Sequence, residues 1–212
     1  MAVFNLNIVM EDNKLNDEPF AEGYEKVLKT IDIVKANETG LKLLLPVVLI
    51  YALPFYLVWK DTMSLKEMLD AGSWLNFLKW TLIFIAGIAA HELVHGITWA
   101  IFAKKGFRSI RFGVMWKMLT PYCHCKEPLK IKHYLTGAIT PFIFVGLIPA
   151  IYAIVTGSTG WLFFGIFYTI GAIGDFLIIN LLRKEKMTDY ALDHPSEAGC
   201  YVYKKRIQPL IT

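Results

Sequence analysis

The residues most plainly arranged for chemistry are His91, Glu92, Leu93, Val94 and His95. Two histidines four positions apart lie about 40° apart around an α-helix, so both imidazoles can reach one metal ion from the same face. The glutamate between them stands where a general base beside that metal would stand. In a chain with 5 histidines, chance places this pattern in about one sequence of this length in 200. The motif also sits inside the apolar run from Trp80 to Ala103, where a carboxylate is costly and marks a functional site.

Two histidines leave a metal site incomplete, because a catalytic metal of the zinc type takes three protein ligands and keeps a position for water. Asp175, an acid inside the otherwise uncharged run Trp161 to Leu182, is the best third ligand. If the second and fourth runs cross a bilayer and end on one side at Ala103 and Leu182, His95, His91 and Asp175 lie about 12, 18 and 11 Å below that end at ~1.5 Å per residue. The acid is then level with the histidines, and metal binding accounts for its charge at that depth. The adjoining Gly174 is expected to allow close helix approach. Asp189 and Asp193 fall beyond the span unless the tail folds back.

Other ligand types are Cys123, His124 and Cys125, and Asp193 with His194. On a strand, Cys123 and Cys125 point to one face and His124 to the other, which disfavours one ion held by all three; His124 is kept as a candidate substrate-contacting or accessory residue. Asp193, His194 and Pro195 read as a capped turn, with Ser196 and Glu197 opening a short helix, and carry no catalytic assignment. Pro141 after Thr140 frees a helix carbonyl and kinks or opens the helix.

These residues need membrane-length elements to hold them. Of 212 residues, 55% are hydrophobic and 19% charged, and mean hydropathy is +0.45, which suits a multipass membrane protein better than a soluble core. Four apolar runs are expected to be helices: 43–59, kinked at Pro46 and Pro54; 80–103; 134–155; and 161–182. Pro19 to Ala36 carries Phe20, Tyr24, Val27, Ile31 and Val34 at helical spacing, and reads as an amphipathic helix ended at 37–40. The alternation from Ser109 to Trp116 predicts short strands, hence a small β-hairpin between the second and third helices. A further interfacial helix is expected from Ser64. The fold class is thus an all-α membrane protein of about four transmembrane helices with that hairpin, divided into an N-terminal segment 1–42, a membrane domain 43–182 and a tail 183–212.

Lysine and arginine number 19 on one side of this arrangement and 3 on the other, which places both termini and the basic loop 104–133 in the cytoplasm of a multi-pass cell-membrane protein. The net charge of +4 is explained by that asymmetry rather than by nucleic acid, since the basic residues flank apolar runs. Three cysteines cannot all pair within the chain and all fall on the reducing side. Residues 1–10 lack a basic leader with an apolar core, so no cleavable signal is expected.

With the motif at 91–95, Gly137 to Pro141 in the next run and Asp175 in a later one, the chain resembles the site-2 protease type of intramembrane metallopeptidase. Adding residues 120–128 and Gly174 with Asp175, it more closely resembles a bacterial family of zincin-like membrane metallopeptidases, over roughly residues 80 to 200. It departs from the site-2 pattern where Asp175 follows Ile173 and Gly174 instead of Asn-Pro. The resemblance implies a zinc-dependent peptidase, with Zn2+ held by His91, His95 and Asp175, Glu92 as general base, and a peptide or membrane-protein substrate. A strand edge within 108–116 offers that substrate a partner by β-addition. The other reading is a non-enzymatic metal-binding membrane protein, a sensor or transporter.

Overall fold

The computed structural model describes residues 23–31, 33–63, 74–116, 120–195 and 197–206. The expected interfacial helix from Ser64 lies outside them. In chain order the elements are β1 (Tyr24–Thr30), α1 (Ile33–Trp59), α2 (Trp74–Phe102), β2 (Ile110–Met115), β3 (Thr120–Cys125), β4 (Leu129–Lys130), α3 (Ile131–Pro141), α4 (Ile148–Thr156), α5 (Thr159–Gly171), α6 (Ile173–Leu182), β5 (Tyr190–Asp193) and β6 (Gly199–Lys205).

Four helical stretches are long and apolar enough to cross a membrane: Glu38–Trp59, Trp74–Phe102, Ile131–Thr156 and Thr159–Leu182. Only 6% of the apolar window of α2 is buried inside the structure, so Phe77, Leu82, Ile85 and Ile101 face outward. Helices apolar on all sides suit a lipid surround. Each runs a little beyond the expected range, and α1 passes straight through 37–40. A single glycine costs a helix about 1 kcal/mol, which does not stop one that continues into an apolar run.

The third stretch is helix in three parts. A π-helical segment, Phe142–Leu147, separates α3 from α4, directly after Pro141. The fourth bends at Ala172, whose ψ of 3° interrupts the helix between α5 and α6. Close packing joins α4 to α5, where a Cβ on Gly165 would meet the Ala150 backbone nitrogen at 2.7 Å.

The strands form two sheets. β2 and β3 pair antiparallel, Phe112 opposite Cys123, in the stretch between α2 and α3 where short strands were expected. The pair packs along the last third of α2, where Gly96 has no side chain and the Phe112 ring and Ile110 fill the space. The second sheet has the order β1, β6, β5, β4, with Tyr24 opposite Lys205 and Thr30 opposite Gly199. The expected amphipathic helix is therefore wrong over Tyr24–Thr30, which is an edge strand; Pro19–Glu22 lies outside the described residues. Spacing of Tyr24, Val27 and Ile31 fitted a helix, but the Tyr201, Val202 and Tyr203 run of β6 supplies a β-favouring partner no local pattern could show. The tail is likewise strand: His194 Nδ1 accepts the backbone N–H of Glu197 at 2.9 Å, so the capped turn is present, but it leads into β6 instead of a helix.

One core, containing Trp99, Cys125, Leu129, Ile131, Tyr134, Leu182 and Val202, binds the ends of the helices to both sheets. A second, around Tyr51, Phe55, Ala150, Ala153 and Leu162, closes the opposite end.

Candidate metal centre

His91 and His95 occupy one face of α2, and Asp175 is the third residue of α6, where the helix N-terminus favours an anion. Each histidine meets a different carboxylate oxygen. His91 Nε2 lies 3.3 Å from Oδ2 of Asp175, and His95 Nε2 lies 3.3 Å from Oδ1. Their ligand atoms all fall within 4.8 Å of one another, the one such cluster among the described residues. The bend at Ala172 starts α6 one turn before the acid. Gly174 borders open space and is not the close-approach residue expected.

The geometry asks for a cation. His95 Nδ1 lies 2.9 Å from the carbonyl oxygen of Gly137, and a carbonyl only accepts, so Nδ1 carries the proton. In the neutral ring Nε2 then presents a lone pair to a carboxylate oxygen, an arrangement that repels unless a positive charge lies between. In addition, buried Asp175 Oδ2 and His91 Nδ1 have no hydrogen-bond partner, and an unpaired buried carboxylate oxygen is costly. The donor set of two imidazoles and one carboxylate fits zinc.

Gly137 is available because Pro141 has no N–H. In an unbroken helix the donor of residue 141 would bond the carbonyl of residue 137. Thr140 Oγ1 donates to the same oxygen at 3.0 Å. Gly137 also lets the indole of Trp99 approach; a Cβ there would lie 2.0 Å from its Nε1. Trp99 stacks on His95 at 5.0 Å and 17° and on Tyr134 at 5.4 Å and 17°, while its Nε1 donates to the Tyr134 carbonyl at 3.0 Å. His91 is backed by Tyr168, stacked at 6.4 Å.

Glu92 is half-buried beside the ligands, and the backbone N–H of Cys123 on β3 reaches its carboxylate. Two residues on, the N–H of Cys125 donates to Asp193 Oδ2 at 2.7 Å. Both thiols turn inward, Cys123 7% and Cys125 1% exposed, and His124 lies against Tyr122 at 4.4 Å with the rings tilted by 39°, outside the three-ligand cluster. Burial pushes the thiols of Cys125 and Cys200 up to about 12 and raises Cys123 as well, with the Glu92 charge adding to it.

A model of the DUF3267 family, described as putative zincin peptidase, matches residues 84–190. The chain belongs to this family. The match starts one turn before Gly87 of α2 and ends at the first residue of β5, so it takes in the motif, the hairpin, Pro141 and Asp175. No curated protein and no solved structure matches the chain significantly. Membership of a zincin family implies zinc, in keeping with the donor set.

Asp193 and Tyr134 carried no assignment from sequence, yet they hydrogen-bond each other next to the site. The Gly137 carbonyl was within reach of sequence reasoning, through Pro141 and the four-residue offset.

Proposed function

We propose that the chain is a zinc-dependent endopeptidase of the cell membrane, hydrolysing peptide bonds of membrane or membrane-associated proteins. The observation that carries this reading is the convergence of His91, His95 and Asp175 within 4.8 Å beside Glu92, with His95 held in the tautomer that leaves Nε2 bare. Zinc held by those three residues would lower the pKa of a bound water and polarise a carbonyl. Glu92 takes a proton from the attacking water and returns it to the leaving amine. The N–H of Cys123 orients its carboxylate for both transfers. The Gly137 carbonyl keeps the His95 ring from turning.

An extended peptide is the substrate form that suits the hairpin. β3 uses its outward N–H groups at Cys123 and Cys125 on Glu92 and Asp193. Among the described residues no strand covers the outer edge of β2, which leaves that edge for strand addition. The charge asymmetry supports cytoplasmic termini, and the pairing of β1 with β6 supports having both ends of the chain on one side. His124 is retained as an accessory residue near the substrate path.

The test is Glu92→Gln in purified protein reconstituted into bilayers and offered a peptide library. Cleavage should fall by orders of magnitude, about 10²-fold or more, with bound zinc unchanged, whereas His95→Ala should lose the zinc. Cleavage surviving in Glu92→Gln would remove the peptidase reading and favour a metal-binding role without catalysis.

A further inference from the structure

We infer that Asp193, on β5, is a positioning residue for the metal centre: one carboxylate oxygen anchors the ring stack behind His95, and the other anchors the strand that holds Glu92. This rests on the peptidase reading above. Asp193 stands 18 residues beyond Asp175 in sequence, past the last apolar helix, and reaches the site because the tail folds back as β5.

Two arms leave this carboxylate. The Tyr134 hydroxyl donates to Oδ1, and Tyr134 is the outer ring of the stack Tyr134, Trp99, His95, with both interplanar angles at 17°. Fixing the hydroxyl fixes the far end of that stack and the turn of α3 immediately before Gly137, whose carbonyl receives His95 Nδ1. On the other arm the Cys125 N–H donates to Oδ2 at 2.7 Å. In a strand, residues two apart present their N–H groups on the same edge. The next one along is that of Cys123, which meets Glu92. A single side chain thus sets the separation between the element that orients a ligand and the element that orients the base.

Burial raises the Asp193 carboxyl above its ordinary value, although His124, the Tyr134 hydroxyl and the Cys125 N–H pull the other way. The carboxylate also ties β5 to β3 and α3, whereas the main-chain ladders of β5 among the described residues run to β4 and β6.

The experiment uses full-length protein in detergent, with Tyr134→Phe and Asp193→Ala beside the wild type. Two quantities are read: zinc affinity, by competition with a chromophoric chelator, and alkylation of each cysteine by a maleimide, by mass spectrometry. Outer groups that orient metal ligands change affinity by about 10- to 100-fold when removed. Tyr134→Phe, which cuts only the ring arm, should weaken zinc by about 10-fold with all three thiols still protected. Asp193→Ala, which cuts both, should weaken zinc further and open Cys123 and Cys125 to the maleimide, while Cys200 on β6 stays protected. Loosened thiols with wild-type zinc affinity would make Asp193 a stability residue and overturn the inference, as would no change in either quantity. If Asp193→Ala does not fold, the zinc affinity of Tyr134→Phe decides. If the wild type binds no zinc, the peptidase reading itself fails; wild-type zinc binding that both variants leave unchanged overturns the inference alone.

Discussion

The carbonyl oxygen of Gly137 receives Nδ1 of His95 across 2.9 Å, and it is open to do so because residue 141 is a proline. A local backbone defect in one helix therefore sets the tautomer of a candidate metal ligand on another. Such contacts behind a metal-binding histidine fix its orientation and raise its basicity.

Replacing Pro141 by alanine supplies the missing N–H. It should improve the helix while adding a third donor to an oxygen whose two lone pairs already serve His95 and Thr140. We expect Pro141→Ala to fold and to bind zinc about 10-fold more weakly, measured by chelator competition. Unchanged affinity would show that the freed carbonyl is not what holds His95.

Gly137→Ala tests packing at the same point. Alanine in place of glycine ordinarily gains a helix about 1 kcal/mol, but here the new Cβ would lie 2.0 Å from Trp99 Nε1. Displacing the indole should break its bond to Tyr134 and its stack on His95. Overpacking costs about 1–3 kcal/mol, so a lower midpoint of thermal unfolding in detergent is expected together with weaker zinc binding.

Orientation in the membrane can be read with exposed positions only. Native Cys200 is 0% exposed and would resist a reagent on either side. Asp61, after α1, and Lys186, after α6, are both exposed. A membrane-impermeant maleimide on intact cells should label Asp61→Cys and spare Lys186→Cys; the opposite pattern would reject cytoplasmic termini.

Glu185 gives a pH dependence with a defined sign. Lys29 of β1 lies 2.5 Å from its carboxylate and Lys204 of β6 lies 2.8 Å away. Burial works against its ionisation, but hydrogen bonds from the two lysines outweigh this and hold it below its ordinary 4.5. Its stabilising contribution is then complete above about pH 4.5 and is lost as pH falls through the lower folded-state value. Wild type should exceed Glu185→Gln in unfolding free energy at pH 7, by about 1 kcal/mol or less because the half-exposed Lys204 is screened. The difference should shrink on acidification.

The apolar helices and the clustering of His91, His95 and Asp175 were legible because both follow from simple spacing rules. Long uncharged runs report apolar helices directly, and equal depth from one side of a bilayer aligned Asp175 with His91 and His95 despite 79 residues between His95 and the acid. Tyr24–Thr30 was not legible, because its apolar spacing fits a helix and its strand partner stands at the other end of the chain. Asp193 was lost for a related reason: depth counting excluded it unless the tail returned, and no feature within residues 183–195 reports that return. Gly174 misled because small residues pack helices together as a rule, whereas here nothing lies within reach of a Cβ at that position.

The ladder between β1 and β6 joins Tyr24 to Lys205, about 180 residues apart. During synthesis the first strand leaves the ribosome long before its partner exists, so it waits unpaired while the apolar helices enter the bilayer. Closing so long a loop is a slow, late event in folding. Since β5 and its Asp193 enter the same sheet, closing that sheet is the step that brings the Asp193 carboxylate to Tyr134 and Cys125. On the proposed peptidase reading, a chain cut before β5 would keep His91, His95 and Asp175 but lack the carboxylate proposed to position them.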